Sequence, residues 1–190
     1  MRKLLPALFA AVAVATIAVA NTAPLLAQTS SPAPCSGGVI GLRFDDGPFE
    51  ETAGILDKLK QYKLKASFFV VGSQVQQFPA LTKRIVAEGH QIANHTWSHA
   101  ALAELTPAQV AQELKSTQDI VYKTAGVRPQ FAGPPYGSTN DAVRLEMAKL
   151  GLREALKSRD SEDWDGAENW QVMNNLSLVN RTGNPGGGMH

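Results

Sequence analysis

The stretch Leu42-Arg-Phe-Asp-Asp-Gly-Pro48 is typical of a short apolar strand that ends in two carboxylates and a turn. A second stretch, Asn94-His-Thr-Trp-Ser-His99, follows about fifty residues later and places two histidines four positions apart. Two imidazoles and one carboxylate are the ligand set of a catalytic zinc ion with an open fourth position. The remaining aspartate is then free to act as a base. We therefore expect a metal centre with an adjacent carboxylate.

Short apolar strands alternate with amphipathic helices outward from these two stretches. The pattern predicts strands at 39–44, 66–71, 90–94 and 130–132, and helices at 52–62, 80–88 and 141–150, with a further helix that begins at Pro107. This order predicts a parallel sheet with helices outside it, either a barrel or an open doubly wound sheet. In both architectures the functional sites gather at the carboxyl ends of the strands. Each candidate motif falls at such an end.

The helix that begins at Pro107 has the clearest start in the chain. Thr106 can cap it, proline fits the first helical position, and Gln109 completes a capping box. Three apolar residues then share one face, which we expect to be buried: Val110, Leu114 and Val121.

Length and composition predict one domain with a substantial core. The chain has 190 residues, 44% of them hydrophobic and 18% charged, which is ordinary for a globular protein. A net charge of +1 provides no basic surface for nucleic acid. Cys35 is the only cysteine, so no intramolecular disulfide can form. We expect a monomer that binds no nucleic acid.

Residues 1–27 resemble a secretory signal peptide, with Arg2-Lys3 before an apolar run and small residues at Ala18-Val-Ala20. Cleavage is expected after Ala20, with Ala27 as the alternative, and an uncleaved membrane anchor is the competing interpretation. Residues 28–38 are rich in Ser, Pro, Thr and Gly and predict a flexible leader. The mature protein is then secreted or periplasmic and has no membrane span.

Neither motif alone decides the function. Asp45 and Asp46 could form a surface turn, and His95 and His99 could be hydrogen-bonded histidines without a metal. Adjacent like charges are unfavourable unless a cation intervenes, and a metal on one aspartate resolves that conflict while leaving the other as a base. Histidines with i, i+4 spacing can face the same side. Together, on neighbouring strand ends, the two motifs favour a metal site.

Four ordered motifs resemble those of the polysaccharide deacetylase family, the metal-dependent carbohydrate esterases with a NodB-homology domain. They are Phe44-Asp-Asp-Gly-Pro48, His95-Thr-Trp-Ser-His99, Pro134-Pro-Tyr-Gly137 and Asp160-Ser-Glu-Asp-Trp164. The resemblance covers residues 39–190, which we assign to the catalytic domain. It implies an α/β fold, a distorted (β/α) barrel with about seven strands.

The resemblance also implies roles for individual residues at the metal. Asp46, His95 and His99 would bind a divalent cation, most commonly Zn²⁺. Asp45 would be the general base, and the backbone N–H of Tyr136 would stabilise the oxyanion.

Further roles concern the sugar and the leaving amine. Pro135, Tyr136 and Trp164 would contact the substrate. Asp163 would orient a catalytic histidine that protonates the amine, and His190 is the candidate for that acid.

Three features depart from the family pattern. Gly133 stands where the family has an arginine that pairs with the base, while Arg43 stands where threonine is usual. Residues two apart in a strand share a face, so our hypothesis is that Arg43 supplies the guanidinium to Asp45 instead.

The other two departures concern the last third of the chain. Charged residues at 157–159 are unexpected in a buried barrel strand. The sequence ends in a glycine run and His190, which we expect not to pack as a strand. The domain is therefore expected to be incomplete at its carboxyl end and to lack the last barrel strand.

These features favour removal of N-acetyl groups from a polysaccharide: a chitin-like polymer, peptidoglycan or poly-N-acetylglucosamine. An O-acetyl esterase acting on acetylated xylan would share the same site. A non-catalytic carbohydrate-binding relative that retains the metal is the third possibility, and a metal-free structural protein is the least favoured.

Overall fold

A computed structural model of the protein describes residues 41–177 and the short strand at 187–189. The predicted signal peptide, the predicted leader at 28–38 and His190 lie outside the described residues. Within the described part of the chain, no helix combines the length and apolar character needed to cross a membrane.

Seven short strands form one parallel sheet. Their bounds are Leu42–Phe44 (β1), Ser67–Val70 (β2), Gln91–Asn94 (β3), Phe131–Ala132 (β4), Arg153–Glu154 (β5), Arg159–Asp160 (β6) and Gly187–Met189 (β7). The sequence predicted the first four, with β1 described from Leu42 onward. The number of strands agrees with the seven expected.

The order of the strands distinguishes a barrel from an open doubly wound sheet. The order is β5-β4-β3-β2-β1-β7-β6, so that all consecutive strands except β5 and β6 are neighbours, β7 pairs with β1, and the direction of winding never reverses. A doubly wound sheet would reverse its order near the middle. The described residues therefore form a barrel that is unpaired only between β5 and β6.

The glycine-rich end of the chain corrects one expectation. Gly187–Met189 pairs with β1 on one side and with β6 on the other, both in parallel. Glycine has a low strand propensity, but a strand with partners on both sides needs only its backbone N–H and C=O groups. The seventh strand, which the sequence led us to expect to be missing, is thus present.

Among the residues that the structure describes, six α-helices lie between the strands. Their bounds are Thr52–Gln61 (α1), Gly72–Gln77 (α2), Pro79–Ala87 (α3), Pro107–Ala125 (α4), Asp141–Lys149 (α5) and Asn169–Ser177 (α6). The predicted capping box at Thr106 is present, with the Thr106 hydroxyl accepting from the Gln109 N–H. Helix α2 was not predicted, because Gly72 was taken as the end of a strand and instead begins a helix.

Helix α4 joins two buried apolar clusters. Val121 packs in the cluster that α1 and α3 form against β2 and β3, and Val110 and Leu114 pack in the cluster shared with α5. All three side chains are fully buried, as their helical spacing predicted. Each buried aliphatic side chain contributes about 1.5–3 kcal/mol relative to exposure. This packing fixes α4 against the strand ends that carry the motifs.

His90 gives the fold a dependence on pH. Its ring is buried at the start of β3, packs edge-on against Phe68, and accepts a hydrogen bond from the Ala66 N–H at 3.3 Å. Burial lowers the pKa of His90 below its ordinary value, the positive charge of Lys65 lowers it further, and Glu88 opposes them.

We therefore expect the stability contributed by neutral His90 to be present above about pH 6.5. It should be lost as the pH falls, because the unfolded chain then takes up a proton that the folded chain resists. Urea unfolding from pH 7.5 to 5 should show a smaller acid-side loss of free energy for His90→Gln, which cannot titrate but keeps an acceptor for Ala66. Equal slopes for both proteins would contradict this assignment.

Candidate metal centre and active site

The carboxyl ends of β1 and β3 bring three candidate ligands together. β1 ends at Phe44 and is followed by Asp45 and Asp46, and β3 ends at Asn94 and is followed by His95. Both strands pair in parallel with β2, so their carboxyl ends meet at one edge of the sheet. The sequence predicted this placement.

The ligand atoms lie within one coordination sphere. Asp46 Oδ1 is 3.1 Å from His95 Nε2 and 3.0 Å from His99 Nε2. The three ligand atoms are all within 4.8 Å of one another. A tetrahedral zinc ion with bonds of about 2.0–2.1 Å separates its ligands by about 3.3 Å. This donor set therefore fits a zinc-type divalent cation.

The orientation of His95 supports the same conclusion. Its Nδ1 lies 2.6 Å from the carbonyl oxygen of Gly133, which can only accept, so Nδ1 carries the proton. Nε2 then presents a lone pair towards Asp46. A backbone carbonyl that fixes the tautomer in this way is the usual outer partner of a metal-binding histidine. His95 is also 2% exposed, which holds the ring in place.

Arg43 and Asp45 form a buried ion pair beside this cluster. Arg43 Nε donates to Asp45 Oδ1 at 2.6 Å, and the two residues are 8% and 5% exposed. Arg43 Nη1 donates to the Ala155 carbonyl at 2.8 Å, and the guanidinium stacks on Phe69 at 3.6 Å from the ring centroid. The guanidinium is thus held by three partners, and its positive charge compensates the negative charge of the buried Asp45 carboxylate.

Gly133 makes room for this arrangement. A Cβ atom added at Gly133 would lie 2.4 Å from Arg43 Nη2 and 2.7 Å from Cδ1 of Phe69. Any larger residue there would displace the guanidinium or the ring. Glycine at 133 and arginine at 43 are therefore structurally coupled.

A short turn of Pro135–Gly137 closes the opposite side of the site. Tyr136 is 77% exposed, and its hydroxyl lies 3.0 Å from His99 Nδ1. Its backbone is left-handed, with φ of 59°. The turn therefore holds the side chain of Tyr136 close to a candidate ligand.

Backbone strain is concentrated at the site. Six non-glycine residues with positive φ occur in the described part of the chain, and five of them belong to the four motifs: Asp46, Thr96, His99, Tyr136 and Glu162. Each such conformation costs about 1–3 kcal/mol and persists only where the surroundings enforce it. Its clustering here indicates that the ligand geometry is imposed by the fold.

The cluster opens into a cavity of about 500 Å³. This volume is in the range of small-molecule and cofactor sites. The walls combine the charged cluster with exposed apolar and aromatic side chains, and the lining residues are Arg43, Asp45, Asp46, His95, His99, Pro134, Tyr136, Gly137, Leu156, Lys157, Asp160 and Trp164. Trp164 is 64% exposed and forms part of the rim.

Pro135, which was expected at the substrate, and Asp163, which was expected to orient the acid, are not among the described residues that line the cavity. Pro135 is buried, and Pro134 and Gly137 line the cavity in its place. The carboxylate of Asp163 accepts a hydrogen bond from the Ser161 hydroxyl. The candidate acid, His190, lies outside the described residues.

Sequence reasoning missed several residues that shape the site. Leu156 and Lys157 line the cavity although the charges at 157–159 only raised doubt about a strand. Glu113 on α4 holds the segment between the two histidines through its carboxylate. None of these three residues belongs to a local sequence motif, because each reaches the site through tertiary packing.

The family comparison agrees with this geometry. The model of the polysaccharide deacetylase family matches residues 33–155. The chain belongs to the polysaccharide deacetylase family. The match includes the aspartate pair, the histidine pair and the turn at Tyr136, and it ends before Asp160 and Trp164.

The curated relatives that the chain resembles include deacetylases of peptidoglycan and of chitin. The peptidoglycan-N-acetylmuramic acid deacetylase PdaC of Bacillus subtilis is 42% identical over 150 residues, which are 78% of this chain and 30% of the relative. A chitin deacetylase of Amylomyces rouxii is 40% identical over 65% of this chain and 30% of its own length. The chain thus spans about a third of the length of these curated relatives.

A solved structure confirms the fold. The family 4 carbohydrate esterase from Streptomyces lividans, in complex with acetate, superposes with a TM-score of 0.75 at 35% identity. The superposition covers 82% of this chain and 79% of that one. The expected α/β architecture with a distorted barrel is thereby confirmed.

The geometry predicts separate roles for the two aspartates in binding a cation. We expect Asp46→Ala to weaken zinc binding by at least about a hundredfold, because one of three ligands is lost. Asp45→Asn should leave the stoichiometry at one zinc per chain, because Asp45 faces Arg43 rather than the histidines. Competition with a chromogenic chelator measures both. Comparable affinities for the two variants would contradict the assignment.

Proposed function

We propose that this protein hydrolyses N-acetyl groups of an N-acetylated polysaccharide, with a divalent cation held by Asp46, His95 and His99. The observation that carries the proposal is the convergence of these ligands beside a second, buried carboxylate in an open cavity. A divalent cation bound there would supply positive charge that polarises the acetyl carbonyl and acidifies the attacking water. Zn²⁺ is the cation that suits two imidazoles and one carboxylate best.

The chain's own residues supply the remaining chemistry. Asp45 forms an ion pair with Arg43 and can take the proton of the attacking water as general base. The backbone N–H of Tyr136 can donate to the oxygen that becomes negative at the acetyl carbon. Trp164 and the exposed ring of Tyr136 provide apolar faces at the rim of the cavity for the acetyl group and the sugar.

The leaving amine needs a proton, and we retain His190 as the proposed donor. Strand β7 runs parallel to β1, with Met189 level with Phe44. In the sequence, the proposed base Asp45 directly follows Phe44, and His190 directly follows Met189. The proposed role of Asp163 in orienting this acid remains a hypothesis.

A polymer of N-acetylated sugars is supported as substrate by the relatives. Those named above are peptidoglycan and chitin deacetylases, and the cavity is open and rimmed by aromatic side chains. Such polymers occur outside the cytoplasm, which agrees with the signal-peptide pattern of residues 1–27. We therefore propose a secreted or periplasmic enzyme.

Acetate release tests the activity directly. Zinc-loaded protein should release acetate from chitin oligomers or from peptidoglycan glycan strands. Asp45→Asn should lower kcat by about 10²–10⁴-fold while it retains zinc, because only the base is lost. Acetylated xylan serves as the ester substrate, and release from xylan alone would replace the amidase proposal with an esterase. A zinc-loaded protein that releases no acetate from any of these would point to a non-catalytic carbohydrate-binding protein.

The coupling of Arg43 to Gly133 can be tested by moving the arginine from position 43 to position 133. Arg43→Thr should lower kcat by at least about tenfold, because Asp45 is left as a buried charge without its partner. Gly133→Arg alone should also impair the enzyme, since its Cβ would meet the Arg43 guanidinium. The double variant Arg43→Thr/Gly133→Arg should recover activity over either single variant, because one guanidinium then has room beside Asp45.

Arg43→Lys is the matched control, since it keeps the charge but cannot make the planar contacts to Asp45, Ala155 and Phe69 together. Double-mutant-cycle analysis of kcat gives the coupling energy. Additive effects of the two substitutions would exclude the hypothesis that Arg43 supplies the guanidinium that the family has at position 133. The zinc content should remain at one equivalent in every variant.

A further inference from the structure

The segment between the two metal-binding histidines is held by a carboxylate that no motif contains. Glu113 lies in the second turn of α4, and its side chain faces residues 97 and 98. Glu113 Oε2 accepts from the backbone N–H groups of Trp97 at 2.8 Å and Ser98 at 2.9 Å. Its other oxygen, Oε1, accepts from the Ser98 hydroxyl at 2.9 Å. One side chain therefore satisfies three donors of this segment.

The backbone of this segment needs such support. Thr96 and His99 have φ values of 67° and 61°, in the left-handed region that non-glycine residues rarely adopt. The Thr96 N–H donates to the Asn94 side chain at 2.9 Å, and its carbonyl accepts from the Gly72 N–H at 2.9 Å. The first half of the segment is thus anchored to β3 and α2, and Glu113 anchors the second half.

The two histidines depend on different supports. His95 follows β3 directly, its N–H donates to the Val70 carbonyl at 2.9 Å, and its ring is fixed by Gly133. His99 lies beyond the turn, and its ring contacts Tyr136, which is largely exposed. The position of the His99 backbone therefore depends on the hydrogen bonds made one and two residues earlier, at Ser98 and Trp97.

The same part of α4 is fixed rigidly to the sheet. Asn94 Nδ2 donates to the carbonyl of Leu114, the residue after Glu113, at 2.7 Å. The indole of Trp97 packs so closely on Gly72 and Thr117 that a Cβ added at Gly72 would lie 2.5 Å from the indole. Glu113 therefore ties the segment between His95 and His99 to a helix that is itself fixed by packing.

We propose that Glu113 is a positioning residue that holds His99 in place for the cation. This inference rests on the proposed metal centre. It adds a residue that touches no ligand and acts through the backbone of Trp97 and Ser98. Outer partners of metal ligands commonly change metal affinity by about 10–100-fold when they are replaced.

Zinc affinity, measured by competition with a chelator, tests the proposal without reference to turnover. Glu113→Ala should weaken zinc binding by about tenfold or more, because the Trp97 N–H, the Ser98 N–H and the Ser98 hydroxyl lose their common acceptor. Glu113→Asp keeps the charge but is one carbon shorter, so it should weaken binding as well. Ser98→Ala removes one of the three hydrogen bonds and should have a smaller effect. Asp119→Asn removes a carboxylate from the same helix and should leave zinc affinity unchanged.

The variants separate positioning from long-range attraction of the cation. Wild-type affinity in Glu113→Asp would show that only the negative charge matters and would overturn the proposal. Wild-type affinity in Glu113→Ala would overturn it too. If Glu113→Ala does not fold, Glu113→Asp and Ser98→Ala decide the question, with a loss in the first larger than in the second as the supporting result.

A measurement on the metal-free protein distinguishes failure of this inference from failure of the metal centre. Hydrogen exchange of the Trp97 and Ser98 amides should be faster in Glu113→Ala than in wild type, while exchange in β2 stays the same. Equal exchange at the two amides would overturn the role of Glu113 whatever the zinc affinity. A wild-type protein that binds no zinc would instead overturn the proposed metal centre, and the exchange result would still decide whether Glu113 holds the segment.

Discussion

The parallel pairing of β1 and β3 with the central strand β2 is the constraint on which the site depends. The registers align Phe44 with Phe68 and Val70 with Asn94, so the chain leaves β1 and β3 at the same edge of the sheet. Asp46 and His95 are the residues that emerge there. A shift of one position in either register would turn the wrong side chain towards the cation site, because neighbouring residues in a strand face opposite sides. The buried side chains of β2 and the packing of α4 prevent such a shift.

Charge is arranged around this edge so that two adjacent aspartates can serve different purposes. Arg43 faces Asp45 from within the same strand, and the two histidines face Asp46. The buried guanidinium costs free energy to desolvate, and its contacts with Asp45, Ala155 and Phe69 offset that cost. Gly133 has two effects on this arrangement. Because it has no side chain, it leaves room for the guanidinium of Arg43, and its carbonyl oxygen orients the ring of His95.

The sequence was informative where chemistry or periodicity is local. The capping box at Thr106, the buried face of α4 and the strand ends at the two motifs could all be predicted, because each depends on neighbours along the chain. The residues that hold the motifs in place could not be predicted, since Glu113 and Ala155 reach the site only after the helices have packed. The strand at Gly187–Met189 was misjudged for a similar reason: its pairing with β1 and β6 outweighs the low strand propensity of glycine.

The barrel can widen most easily at the gap between β5 and β6, where the strands are not paired. Within the described residues, every other pair of neighbouring strands is joined by backbone hydrogen bonds, so outward movement at this gap breaks none of them. Leu156 and Lys157 lie in the connection that spans the gap, and both line the cavity. The wall they form can therefore move outward without breaking strand pairing, while Asp46, His95 and His99, on the opposite and fully paired part of the sheet, keep their spacing.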